Sequence, residues 1–178
     1  MPTYIAFLRA INVGGRFAKM ADVRAGLIHQ GFAEVESFIQ SGNLRLTSDL
    51  GSVTEVENAL ESALAEICGF TVSTIVRTPE QLGKLTSYGI GLAAPFEGEA
   101  RRYVTFLKRD PDQAFLSTFN GWEVVGERAH VNEREIYLWL AHPSHTAKLS
   151  NARIERGGVV ATTRDWKVVS ALGERWGA

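Results

Sequence analysis

Apolar side chains fall along this chain in short continuous runs and in stripes of helical spacing, and the alternation of the two sets out the elements. Residues 3–10 (Thr-Tyr-Ile-Ala-Phe-Leu-Arg-Ala) form an unbroken apolar run with an Arg near its end, the pattern of a buried central strand. Beyond a glycine loop, Met20, Val23, Leu27 and Ile28 recur at helical spacing, and Gly31 supplies the stop. Residues 35–40 and 43–48 predict two short strands, joined by a tight hairpin at Ser41-Gly42. Ser52 and Glu55 have the spacing of a capping box; Val53, Val56, Leu60, Ala63, Leu64 and Ile67 then line one helix face up to Gly69. Residues 70–77, rich in β-branched side chains, predict a fourth strand. Thr78-Pro79-Glu80-Gln81 begins a short helix carrying Leu82 and Leu85.

The order strand–helix–strand–strand–helix–strand is the split βαβ, ferredoxin-like arrangement. Residues 86–100, with Gly89, Gly91, Pro95 and Gly98, read as a linker. The second half opens on Tyr103-Val-Thr-Phe-Leu-Lys108, an echo of Tyr4-Ile-Ala-Phe-Leu-Arg9. A helix from Asp110-Pro111 and Gln113 through Phe119 follows, then strands near 122–131 and 134–141 that turn at Asn132-Glu133. The tail reads as two helices, about 144–156 and 163–176, separated by Gly157-Gly158. The expectation is an α+β protein: a ferredoxin-like βαββαβ lobe over residues 1–85, a linker over 86–100, and a related lobe over 101–178 that repeats the first in part and ends in helices.

Composition narrows the class. With 178 residues, 45% of them hydrophobic and 22% charged, the chain can bury a core without staples and is neither disordered nor a disulfide scaffold. A formal charge of −1 argues against a surface built to hold phosphate backbones. No run approaches the roughly 18 apolar residues of a membrane span, and the N-terminus lacks the pattern of a signal peptide. The single Cys68 fits a reducing cytoplasm and reads as a small buried thiol at a helix end. His142 and His145 are three apart, but Pro143 blocks the helix that would align them on a metal. No cofactor or metal is expected.

Several strings carry a resemblance. In order they are Leu8-Arg9-Ala10-Ile11-Asn12-Val13-Gly14-Gly15, Lys19-Met20-Ala21-Asp22-Val23-Arg24, Ile39-Gln40-Ser41-Gly42-Asn43, Leu149-Ser150-Asn151 and Ala161-Thr162-Thr163-Arg164-Asp165-Trp166. Together they strongly resemble the bacterial domain of unknown function 1697 family. The resemblance implies an α+β protein of two related halves and implies no activity. Ala10 stands where that family usually has Gly, and Asp165 where Asn is usual.

In the split βαβ arrangement the first and second strands run in the same direction with the third between them. The loop after the first strand and the hairpin between the second and third therefore share one end of the sheet. That places Arg9, Asn12, Gly14 and Gly15 near Gln40, Ser41 and Asn43, with Arg16 and Lys19 leading into the first helix. Exposed N–H groups, a helix N-terminus and two cations would suit a small anionic or phosphate-bearing ligand. The same glycines would equally serve only to turn the chain. Thr162 reads as the N-cap of the last helix. Arg164 in its first turn opposes the helix dipole by roughly 0.3–1 kcal/mol, so it calls for a carboxylate or a bound anion. Thr163 and Arg164 are accordingly expected to approach the same cleft from that helix. The leading reading is a cytoplasmic ligand-binding protein. The alternatives are an enzyme using the same pocket, though no nucleophile, base or metal set is evident, and single-stranded nucleic-acid binding on the sheet face. For the last, the third strand offers no aromatic, so nucleic acid is not the expected partner.

Overall fold

A computed structural model describes residues 1–178, which divide into two compact units. The first comprises Met1–Gly83 with Arg175–Ala178, the second Lys84–Glu174. In the first unit, β1 (Thr3–Leu8), α1 (Met20–His29), β2 (Ala33–Phe38), β3 (Asn43–Thr47), α2 (Val53–Cys68) and β4 (Thr74–Arg77) form an antiparallel sheet in the order β2-β3-β1-β4. This is the ferredoxin-like order, with Phe7 opposite both Asn43 and Ile75. Alternation along β1 sends Tyr4, Ala6 and Leu8 into a core with Leu44, Leu46 and Val76 of the sheet, Val23 and Leu27 of α1, and Val56, Leu60 and Leu64 of α2. Burying each such aliphatic side chain contributes roughly 1.5–3 kcal/mol. The α2 boundaries follow the sequence: Ser52 accepts from the Glu55 N–H at 3.2 Å, and Gly69 closes the helix at φ +76°. Ile28, read as part of the α1 core stripe, instead faces solvent at 56% exposure.

The sheet edge at β4 is closed by α2. Glu57 and Glu61 lie four apart on the helix, and Val76 and Thr74 two apart on the strand; both spacings are about 6 Å. Glu57 accepts from the Val76 N–H at 3.1 Å and Glu61 from the Thr74 N–H at 2.9 Å. Two outward-facing N–H groups of an edge strand are thereby satisfied by carboxylates.

The first unit continues into α3 (Pro79–Ile90), which starts on a reciprocal cap between Thr78 and Gln81. The division between the units falls within this helix, and residues 86–90, expected to open the linker, are its last turn.

The second unit contains β5 (Arg101–Leu107), α4 (Gln113–Asn120), β6 (Glu127–Asn132), β7 (Glu135–Leu140), α5 (Asn151–Glu155), β8 (Ala161–Asp165) and α6 (Trp166–Trp176), whose last residues join the first unit. Its sheet runs β6-β7-β5-β8 and is antiparallel throughout. Leu107, Ile136, Leu138, Leu140 and Ala161 meet Phe119 of α4 and Ile154 of α5 in a core of its own.

The tail departs from expectation. Residues 144–156 are a 3-10 turn at Ser144–Thr146 and the short α5, not one helix. Residues 161–165 are the strand β8, not the start of a helix; Thr163 pairs with Thr105 and Arg164 with Val104. Thr162 therefore caps nothing. The cap of α6 is Asp165, whose carboxylate accepts from the Lys167 N–H at 2.9 Å. Two consecutive β-branched threonines suit a pleated strand as well as a helix N-terminus, and pairing with β5 decides between them. With β8 in place the repeat is complete: the second unit is itself βαββαβ.

Candidate functional site

The loop after β1 is held by its own backbone and by Asn12. Arg16 N–H donates to the Val13 carbonyl at 3.0 Å and Asn12 N–H to the Arg16 carbonyl at 2.7 Å, closing a tight turn. Gly14 and Gly15 at its centre have φ of +57° and +82°, as a type I′ turn requires. Asn12 also has positive φ, +58°, which Asn tolerates better than most residues. Its amide donates to the Gln40 carbonyl at 2.9 Å and accepts from the Ala18 N–H at 2.9 Å. Asn12 thus ties the loop both to the β2–β3 hairpin and to the lead-in of α1. The hairpin is packed against the loop: Gly42, at φ +81°, leaves no room for a Cβ, which would stand 2.6 Å from Ile11 and 2.8 Å from Leu8. Asn43 is fully buried and donates to the Phe38 carbonyl and to the Ser41 hydroxyl, each at 3.0 Å.

Asn12, Gly14, Gly15, Gln40, Ser41 and Asn43 are therefore brought to one end of the first sheet, and the two asparagines spend their amides on holding loops. Arg9 lies at the end of β1, its N–H donating to the Ser73 carbonyl at 2.9 Å. Arg16, expected beside the helix start, turns away. Its guanidinium lies over the Phe70 ring at 4.7 Å and donates to the Thr71 carbonyl. Thr163 and Arg164 belong to the second unit and lack the helix that was to carry them. Thr163 bonds the Thr105 hydroxyl at 2.7 Å; Arg164, 7% exposed, donates to the Thr162 hydroxyl at 2.7 Å. Burial lowers the Arg164 pKa to about 10.

A cleft of about 620 Å³ opens at this end of the first unit, with Asn12, Phe17, Lys19, Asp22, Gln40 and Cys68 among its walls. Lys19 is the N-cap of α1 and supplies no side-chain cap, so the first-turn N–H groups meet no side-chain acceptor from it. Burial pushes the Cys68 thiol pKa up, with the Arg16 charge only partly opposing it. That is the reverse of what a nucleophilic thiolate needs.

A second cleft, of about 870 Å³, lies wholly in the second unit and was not read from the sequence. Arg102, Trp139, His142, Trp166 and Lys167 line it. Arg102 of β5 pairs with Trp139 of β7, and Tyr103 pairs with Asp165 of β8, so Arg102 is flanked by Trp139 on one side and Trp166 on the other. Those pairings were the available signal, but reading 163–176 as helix hid half of them. No group of three or more His, Cys, Asp or Glu side chains is placed to hold a metal ion. No helix is long and apolar enough to cross a membrane.

Comparison with known proteins agrees with the fold. No curated protein matches the chain. The solved structure of a conserved bacterial protein from Streptococcus pneumoniae superposes with a TM-score of 0.74 at 23% identity, covering 99% of this chain and 98% of that one. That likeness extends the shared architecture through β8 and α6, past the segment over which family membership is seen in sequence. The model of the protein family of unknown function DUF1697 matches residues 1–137, which include the β1–α1 loop, the Gln40–Asn43 hairpin and most of the second sheet, and the chain belongs to that family.

Proposed function

We propose that the first unit binds a small phosphate- or carboxylate-bearing molecule in the cleft at the loop end of its sheet. The observation that carries the reading is a difference between the repeats at their first helices. The α4 N-terminus is capped by Asp112, whose carboxylate accepts from the Phe115 N–H at 2.8 Å. At the corresponding place α1 has Lys19, a cation without a capping bond, beside an open cleft. Where one repeat supplies its own oxyanion to the helix N-terminus, the other leaves the place for an external one. Asp22, in the first turn of α1 three residues after Lys19, is the single carboxylate on the cleft wall.

Binding is favoured over turnover because Cys68, the nucleophilic side chain on the wall, has its thiol stabilised rather than its thiolate. The sheet-face alternative loses its footing because Tyr4 and Phe7 are 4% and 0% exposed, leaving neither ring to stack on a base. The lone free cysteine suits a reducing cytoplasm as the place of action.

Cys68 is the only cysteine in the chain, so its alkylation reports on the cleft directly. Inorganic phosphate, a sugar phosphate or a dicarboxylate at millimolar concentration is expected to slow Cys68 modification by iodoacetamide. Lys19→Glu is expected to remove that protection while leaving the unprotected rate within about twofold, a change worth about 0.4 kcal/mol. Unchanged alkylation with all three anions would sink the reading.

A further inference from the structure

We propose that the cleft of the second unit is a separate binding site for a small organic oxyanion, a carboxylate or phosphate carried on a flat apolar body. Two side chains with donor capacity to spare, Trp139 and Arg102, lie on its wall. The indole N–H of Trp139 is buried and has no hydrogen-bond partner, on a side chain only 4% exposed. A buried N–H in that state is rare in proteins and points to a group that completes it. The second donor is Arg102. Its guanidinium lies 4.2 Å from the Trp166 ring centre and 5.5 Å from that of Trp139, and it donates to the Gly89 carbonyl. No carboxylate pairs with it. Held beside two indole rings, the guanidinium keeps one plane and offers the remaining N–H groups as a rigid fork, the geometry that matches a carboxylate or phosphate edge. Burial disfavours its charge, and the Tyr137 phenol opposes that only in part.

The surrounding charge agrees. Asp165, the wall carboxylate contributed by β8, is already engaged by Arg101 at 3.1 Å. Lys167 adds a further cation, and His142 stands on the wall with its own partner, Glu127, at 3.3 Å. Glu99 is the second carboxylate on the wall, set against the cations Arg101, Arg102 and Lys167, and Leu92, Ala94, Leu140 and Pro143 supply its apolar part. A bare inorganic ion would use the fork and the indole and leave those walls wet. A ligand with an aromatic or heteroaromatic body would use both.

Isothermal titration of the full chain with adenosine monophosphate, indole-3-acetate and inorganic phosphate tests this. At least one of the two organic anions is expected to bind saturably and more tightly than phosphate, and the two distinguish a phosphate head from a carboxylate head. Trp139→Phe keeps the ring and removes only the N–H; it is expected to weaken binding by about tenfold or more, the usual loss for a hydrogen bond to a charged group. Arg102→Lys keeps the charge and removes the fork, and is expected to do the same. Circular dichroism melts of both variants separate lost binding from lost folding. Binding that leaves Cys68 alkylation unprotected assigns the ligand to this cleft rather than the first. The proposal is overturned if no probe binds, if phosphate binds as tightly as the organic anions, or if both folded variants bind like the wild type.

Discussion

Replacing Glu127 with glutamine changes the side-chain volume hardly at all, yet it reverses the hydrogen-bonding character of one of two buried atoms. Glu127 opens β6 and is 1% exposed. One carboxylate oxygen accepts from the Trp122 indole N–H at 3.0 Å and the Leu149 N–H at 2.9 Å. The other accepts from the Lys148 N–H at 2.7 Å and lies 3.3 Å from His142 Nε2. A glutamine amide must put its NH2 on one side or the other. Facing Trp122 and Leu149 it strands two donors, at about 1–3 kcal/mol each. Facing Lys148 it strands one, and it gains an acceptor if the His142 ring is neutral at Nε2. The second orientation is cheaper, so Glu127→Gln is expected to cost about 1–3 kcal/mol. Glu127→Ala strands all three N–H groups and is expected to cost about 3 kcal/mol or more, after water has entered. Urea unfolding followed by circular dichroism measures both; at a typical slope, about 1–3 kcal/mol moves the midpoint by roughly 1 M. An alanine variant within about 0.5 kcal/mol of the wild type, the range of ordinary surface substitutions, would refute the account of Glu127 as the acceptor that holds residues 148 and 149 in place.

Gly42→Ala is expected to destabilise the first unit by about 2–5 kcal/mol, combining left-handed strain with overpacking on Ile11 and Leu8. Gly14→Ala, with nothing within 4 Å of its Cβ, is expected to cost only the conformational part, about 1–2 kcal/mol, so equal urea midpoints for the two would contradict the packing argument. Tyr137 donates to the Leu85 carbonyl at 2.7 Å, and burial raises its phenol above the ordinary range near pH 10. A raised folded-state value means the stability it contributes is complete below about pH 10 and is lost as the pH climbs toward the folded value. Thermal melts across that range are expected to fall more steeply for the wild type than for Tyr137→Phe; parallel curves would contradict this.

The first unit was legible because its signals are local. Ser52 with Glu55, Gly69 and the unbroken run of β1 each specify their own stretch and agree with one topology. The hairpin comes where Gly42 marks it, but β2 ends at Phe38 rather than at residue 40, and the turn takes in residues 39–42, with Ile39 at φ +54°. The echo at Tyr103–Lys108 was also sound: it is β5, in the place of β1. The failure at 161–165 has a physical cause. Thr162-Thr163-Arg164-Asp165 satisfies the local rules for a helix start, but Thr105 and Val104, far away in sequence, supply the pairing partners that make it a strand. The same error concealed the second cleft, since Arg102 and Trp166 become neighbours only when β8 lies beside β5. In the first cleft the positions of Asn12 and Gln40 followed from topology. Their hydrogen bonds did not, because the left-handed φ values that aim them depend on the turn as a whole.

The carboxylates that close β4 have counterparts around both sheets. In the second unit Glu155 accepts from the Ala161 N–H of β8 at 2.9 Å, and Asn120 accepts from the Val131 N–H of β6 at 2.8 Å. The β2 edge is broken by a register shift between Ala33 and Glu36, with Glu34 at φ +48°. Every margin on which another strand could be templated is thus blunted by a helix side chain or a bulge. A tandem repeat of like folds is prone to fuse its sheets, or to exchange strands between copies while the chain is still folding. Here each half caps edge amides of its own sheet with its own helices, and the arithmetic of the chain stays at four strands and four.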